Sequence, residues 1–253
     1  MTFGRIVFYY LMIAPHVLLL GIVAALVYRK NYKRFPVFFV YISSEIVQFV
    51  ILFAMYTLPL VTAAQYAWGY AAGLAVSTAL RFGIIHELFA DTFRNYSVLK
   101  YLGQPLFRWM LIALLLAALA LTYYAGGNNF DQLMFIVHTM DRAASILQCG
   151  LLLGLFLFSA YLGLSWRSHL FGIALGLGIL ATVQLIAAAI RAQTGFVYSH
   201  YLDYLTMGTY HVCVVVWLAY LWAPERSAQY ALKALPKHDL DVWNEELQRL
   251  IKQ

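Results

Sequence analysis

Long apolar runs, separated by short polar segments, dominate the sequence of this chain. A helix needs about 20 apolar residues to cross the hydrocarbon core of a bilayer, and seven runs reach that length. Prolines stand at the first-turn positions Pro36 and Pro105, and Gly126-Gly127 predicts a turn. The runs lie at about 5–28, 36–58, 64–90, 105–124, 132–162, 169–191 and 200–222. The pattern therefore predicts an all-α, polytopic membrane domain over residues 1–224, with seven transmembrane helices.

Composition supports lipid as the natural solvent of these runs. The chain is 63% hydrophobic and 11% charged, whereas soluble domains carry about 25% charged residues. The net charge of +6 would also suit a nucleic-acid partner. The basic residues, however, cluster between the apolar runs instead of covering one soluble face, so we exclude nucleic acid and expect the lipid bilayer as the partner.

The distribution of Lys and Arg predicts the orientation in the membrane. Arg29, Lys30, Lys33 and Arg34 follow the first run directly, and the segments after the third, fifth and seventh runs are also basic. The segments on the other side hold Arg5 and Arg191 alone. Because cytoplasmic segments carry the excess of basic residues, we expect the N-terminus outside and the C-terminus in the cytoplasm.

The last segment, 225–253, has a different character from the apolar domain. Within 239–252, Leu240, Trp243, Leu247 and Leu250 recur at helical spacing, with acidic residues before them and basic residues after them. This pattern predicts a short amphipathic helix in a cytoplasmic tail. Such a helix lies on the inner membrane surface, caps the bundle, or binds a membrane or cytoplasmic protein partner.

Polar residues inside the runs fall on one face of each predicted helix except the fourth. The clearest example is the second run, where Tyr41, Glu45 and Gln48 share a face. Ionisable residues inside a membrane are costly and usually face the interior of a bundle. At a rise of about 1.5 Å per residue, Glu45 lies roughly 13 Å and Arg81 roughly 12 Å from the cytoplasmic side. We therefore expect an intramembrane Glu45–Arg81 ion pair.

A second group of polar residues lies in the outer half of the predicted bundle. Adjacent helical positions diverge by about 100°, so Asp141 and Arg142 are each expected to face a different helix. The predicted ligand pocket is lined by His138, Asp141, Arg142, Asp203, His211, Arg191 and His16. The alternative is a set of interhelical bonds that binds no ligand.

Motifs for catalysis or metal binding are lacking in the sequence. There is no HxxxH, HExxH or GxSxG pattern, so we expect no enzyme and no metal site. Every lysine lies in a predicted cytoplasmic segment, which excludes a retinal Schiff base. No cofactor is expected, although His16 and His211 on the first and last runs leave haem ligation as an alternative.

The runs 81-RFGIIHELFADTFRNY-96, 105-PLFRW-109 and 243-WNEELQRL-250 carry a resemblance to a known group of proteins. They resemble an uncharacterised bacterial family of seven-helix integral membrane proteins. The resemblance implies the same architecture in a bacterial cytoplasmic (inner) membrane, and it implies no activity. The layout also resembles small sugar transporters of three-plus-one-plus-three plan, with Gln48 and Gln184 at matching positions.

These features predict a non-enzymatic membrane sensor or accessory subunit. It would bind a small ligand or a partner protein through the outer-half polar pocket. Two alternatives stay open at this point: a small secondary transporter that uses the interface between repeats, and a haem-binding electron-transfer subunit.

Overall fold

The computed structural model describes residues 3–57, 61–92, 112, 130–161, 168–194 and 199–223. The predicted fourth run, 105–124, and the predicted tail helix, 239–252, lie outside these residues. The described residues are almost entirely helical, which confirms the all-α class. The six α-helices among them are α1 (Phe3–Tyr28), α2 (Pro36–Thr57), α3 (Ala63–Thr92), α4 (Phe130–Tyr161), α5 (His169–Thr194) and α6 (Ser199–Trp222).

Five of these helices are long and apolar enough to cross a bilayer. The spans are Gly4–Tyr28, Pro36–Thr57, Ala63–Thr92, His169–Arg191 and His200–Trp222. Their bounds differ by at most a few residues from the runs predicted for the first, second, third, sixth and seventh helices. The chain is therefore a multi-pass membrane protein.

Local sequence signals account for several of the helix ends. Before α3, Thr62 and Gln65 form a reciprocal capping box, in which each backbone N–H donates to the other side chain at 3.0 and 3.3 Å. Ser168 caps α5 by accepting the N–H of Phe171 at 3.2 Å. At the end of α1, Lys30 adopts a left-handed φ of 58°, which stops the helix before a single 3₁₀ turn.

The six helices form a closed ring, in which each helix packs on the next and α6 returns to α1. Helices α1 and α6 run in the same direction. At one end, the Tyr204 hydroxyl donates to Gly4 O at 3.1 Å. At the other end, Arg29 Nη1 donates to Ala223 O at 2.7 Å. We call the end that carries Arg29–Arg34 the basic end.

Neighbours α3 and α4 also run in the same direction, unlike the other sequential pairs. Helices joined by short connections are antiparallel, and α4 packs antiparallel to α5, with Cys149 near Thr182 and Phe156 on Phe171. Helix α3 ends at the basic end, where Asp91 pairs with Arg34 at 3.0 Å. Helix α5 starts at the basic end, where His169 Nε2 lies 3.3 Å from Ala223 O, so α4 starts at the opposite end.

The half of the ring nearer the basic end is a close-packed apolar core. At its centre Trp217, fully buried, packs edge to face on Phe38 and Tyr41, with ring centroids 5.5 and 6.2 Å apart. Its indole Nε1–H donates to Ile173 O at 3.2 Å. Gly176 permits this approach, because a side chain there would overlap the indole.

Candidate functional site: a polar cavity inside the ring

The half of the ring away from the basic end contains an open cavity of about 280 Å³. We call it the polar cavity. Side chains from α1, α2, α3, α5 and α6 line it, and no described residue of α4 does. The lining residues are Leu11, Met12, His16, Tyr41, Glu45, Gln48, Tyr70, Leu74, Ser77, Arg81, Leu180, Gln184, Thr206, Met207 and Tyr210.

One wall of the polar cavity joins α2 to α3. Glu45 and Gln48 lie on one face of α2 because they are three positions apart in a helix. The Ser77 hydroxyl of α3 donates to Glu45 Oε1 at 2.5 Å. Gly73, one turn before Ser77, leaves room for the Gln48 amide, which any side chain at that position would overlap. The carboxylate of Glu45 is therefore held against α3 by a neutral hydroxyl.

One turn further along the same face of α3 lies Arg81, which is 4% exposed. Its Nη1 donates to Gln184 Oε1 at 2.7 Å, across the ring on α5. Its Nη2 donates to Thr78 Oγ1 at 3.4 Å and lies 3.9 Å from Asp141 Oδ1 on α4. Arg81 thus ties three helices together, and its positive charge is matched by Asp141.

The predicted Glu45–Arg81 ion pair is not formed. Both side chains line the same cavity, but the charged partner of Arg81 is Asp141, and the hydroxyl of Ser77 binds Glu45. Similar depth in the membrane placed the two residues at the same level. The partner of each side chain depends on how its helix is rotated about its own axis. Depth in the membrane does not determine that rotation.

Two lining residues carry buried polar atoms without a hydrogen-bond partner. They are Arg81 Nε, which no described residue satisfies, and the Tyr210 hydroxyl oxygen, which makes no hydrogen bond of normal length and lies close to the Glu45 carboxylate. Buried polar atoms in native proteins nearly always have a hydrogen-bond partner. Arg81 and Tyr210 are therefore the lining residues whose hydrogen bonding is incomplete.

Both histidines considered for haem are held by contacts to neighbouring residues. His16 Nδ1 lies 2.8 Å from Met12 O, and its ring stacks on Phe49 with centroids 3.9 Å apart. His211 Nε2 lies 3.4 Å from the Tyr10 hydroxyl. His16 lines the polar cavity and His211 does not, so the two rings do not face a common site in which a haem could lie between them. The described residues contain no cluster of metal-ligating side chains.

Of the predicted pocket residues, His16 lines the polar cavity and Asp141 supports it from behind Arg81. Arg191 and Asp203 pair with each other at 2.7 Å at the end opposite the basic end, where Asp203 is 58% exposed. This ion pair links α5 to α6, and neither residue is among those that line the polar cavity, so their role in a ligand pocket stays a prediction.

The remaining predicted pocket residues also lie away from the polar cavity or are not described. Arg142 is exposed on α4, and His211 packs against Tyr10. The side chain of His138 lies outside the described residues. The pocket was predicted among α1, α4, α5 and α6, whereas the polar cavity is lined by α1, α2, α3, α5 and α6.

The sequence did indicate the polar residues that line the cavity. Gln48, Ser77, Gln184 and Tyr210 each lie on the polar face of an otherwise apolar helix. Periodicity within one helix identifies such a face. It does not show which faces meet, because that depends on the order of the helices in the ring.

No family model, curated protein or solved structure matches this chain. The resemblance of 81–96, 105–109 and 243–250 to a bacterial seven-helix family stays a prediction. The function is therefore argued from the chemistry of the polar cavity.

Proposed function

We propose that this protein is a non-enzymatic membrane sensor or accessory subunit that binds a small ligand in the polar cavity. The supporting observation is that three polar side chains converge on one cavity: Glu45, whose hydrogen-bond partner is a neutral hydroxyl, and Arg81 and Tyr210, whose hydrogen bonding is incomplete. A bundle needed for support alone has no reason to keep an ionisable carboxyl group beside open volume within a membrane, where such groups are costly.

The proposal includes seven crossings of a bacterial cytoplasmic membrane, with the N-terminus outside. Helices α3 and α4 run in the same direction, so residues 93–129 must return to the far end of the ring. The apolar run 105–124 has the length for that return. The basic residues at Arg29–Arg34 favour placing the basic end in the cytoplasm. The polar cavity then lies in the outer half of the membrane.

The packing of the two halves favours a sensor over a transporter. A transporter needs a path that opens to each side in turn. In this ring the basic end is filled by buried apolar side chains, with Trp217, Phe38 and Leu221 at most 1% exposed. Access from one side is what a sensor requires. Residues 239–252, in the tail that follows α6, are the proposed contact with a cytoplasmic or membrane partner.

Thiol accessibility tests whether the polar cavity is open to water. With Cys149 and Cys213 replaced by alanine, a cysteine is introduced at Met207, which lines the cavity. The matched control is a cysteine at Val212, 52% exposed on the same helix and away from the lining. Thiolates react and thiols do not, and a thiol in lipid stays protonated.

The expected result is reaction of the Met207→Cys protein with methyl methanethiosulfonate, at a rate at least tenfold above that of the Val212→Cys protein. Equal, slow labelling of both positions would show that water does not reach the cavity and would overturn the proposal. Deletion of 239–253 tests the tail separately. An unchanged set of co-purified partners after that deletion would remove the proposed role of the tail.

A further inference from the structure

The acidic and basic residues around the polar cavity do not all have ion-pair partners. Glu45 is the acidic residue among the lining side chains, and Arg81 is the basic one. Asp141, which approaches from α4, lies 3.9 Å from Arg81 and offsets its positive charge. The described residues place no Lys, Arg or His nitrogen within 4.0 Å of the Glu45 carboxylate, whose bound partner is the Ser77 hydroxyl. Glu45 therefore lines the cavity without an ion-pair partner among the described residues.

The uncharged part of the lining also favours a cation. Tyr70 and Tyr210 contribute aromatic rings to the lining, whereas Tyr41 is 1% exposed and packs on Trp217. The face of such a ring carries negative electrostatic potential and attracts an ammonium group, most strongly where water is excluded. An anion would find the Arg81 Nη atoms engaged by Gln184, Thr78 and Asp141, so that Nε–H alone would remain for it to bind.

The volume of the cavity suits a small ligand. The cavity measures about 280 Å³, below the range of roughly 300–1,000 Å³ in which drug-sized ligands bind. Apolar side chains, including Leu11, Leu74 and Leu180, make up the rest of the lining. A compact ion with a small alkyl body suits this mixture better than a hydrated metal ion does, because its alkyl body buries apolar surface.

We propose that the polar cavity takes a small organic ammonium ion, held by the Glu45 carboxylate and by the faces of the surrounding tyrosine rings. This inference rests on the proposed function, since it names the class of ligand for that same site. The alkyl body of the ion packs against the leucines, and its charge replaces the missing counter-ion of Glu45.

Three probes of nearly the same shape and different charge test this inference. They are tert-butylammonium, tert-butanol and pivalate, titrated by calorimetry into the full-length protein in detergent micelles. The wild-type protein is expected to bind tert-butylammonium at least tenfold more tightly than tert-butanol, and pivalate least of all. A tenfold difference corresponds to about 1.4 kcal/mol.

Substitution of Glu45 assigns the preference to one side chain. Glu45→Gln keeps the shape and the acceptor for Ser77, and it is expected to lower the affinity for tert-butylammonium at least tenfold, to the level of tert-butanol. Asp203→Asn is the control, because it removes an equal charge at an exposed site outside the cavity, and it should change the affinity less than twofold. Glu45→Asp retains the charge and should retain the order of the probes, which covers the case in which Glu45→Gln does not fold.

The outcomes separate this inference from the proposed function. Equal binding of the three probes, or unchanged binding by Glu45→Gln, would overturn the ammonium ligand while a ligand cavity remained. The tightest binding by pivalate would assign the site to Arg81 and would also overturn it. If the wild-type protein bound none of the probes and the cysteine at Met207 did not react, both proposals would fail.

Discussion

The two halves of the ring are built from the same helices but hold them together differently. At the basic end, Trp217, Phe38 and Leu221 interdigitate with no exposed surface beyond 1%. In the other half, Glu45 and Arg81 face a cavity of about 280 Å³. Apolar packing has no direction and tolerates no gaps, whereas the polar half depends on a few directional bonds. Stability is therefore expected to reside in the first half and specificity in the second.

The largest loss is expected from Trp217→Ala in the packed half. This change removes two edge-to-face ring contacts and the bond to Ile173 O, and it opens a void at a site with no room to collapse. Loss of a large buried aromatic side chain costs about 3–5 kcal/mol. The free energy of unfolding, measured by denaturant titration in micelles, should fall by that amount. The control is Trp222→Ala, because Trp222 lies on the same helix and is 54% exposed. An equal loss of unfolding free energy in both variants would mean that stability does not reside in the core.

The polar half is expected to depend most on Arg81. Arg81→Leu leaves Asp141 and Gln184 without their partner inside the ring. Breaking a buried pair by removing one member costs about 3–5 kcal/mol. The loss here should lie near the lower limit, about 3 kcal/mol, because water in the open cavity can reach Asp141. Arg142→Leu, one position from Asp141 and exposed, should change the same unfolding free energy by less than about 0.5 kcal/mol. Similar losses in the two variants would contradict the inward role of Arg81.

A smaller loss is expected where α5 and α6 approach each other most closely. Gly176→Ala places a methyl group against the Trp217 indole, and overpacking of this kind costs about 1–3 kcal/mol. Gly208→Ala meets no atom within 4 Å and should leave stability unchanged or slightly raised, because alanine favours a helix. The comparison of their unfolding midpoints measures how tight the packed half is. No difference between them would show that the ring accommodates an added methyl group equally well in both places.

The smallest effect is expected from the hydrogen bond at Glu45. Ser77→Ala removes the 2.5 Å bond to Glu45 Oε1, and a typical bond contributes about 1 kcal/mol. Beside the cavity, water is able to take the place of the hydroxyl, so the unfolding free energy should fall by less than about 1 kcal/mol. Ser43→Ala is the control, since that hydroxyl bonds to Phe39 O within its own helix. A loss well above 1 kcal/mol would mean that this half is as dry as the other.

The comparison also explains which sequence predictions succeeded. The bounds of five membrane-spanning helices followed from runs of apolar residues, because a bilayer imposes both the length and the composition of a span. The site was only partly predicted. Polar faces such as Tyr41–Glu45–Gln48 were identified, but Arg191 and Asp203 were assigned to a ligand, whereas the structure pairs them with each other at 2.7 Å.

The sequence by itself determined the class of the molecule, the positions of its described helices and the existence of a polar face on most of them. Each of these depends on short-range periodicity and on the cost of placing polar groups in lipid. The tertiary structure decided that α3 lies beside α4, so that Asp141 meets Arg81 and Glu45 is left with Ser77. That outcome depends on the order and rotation of helices far apart in sequence, which interhelical packing sets and which no single helix encodes.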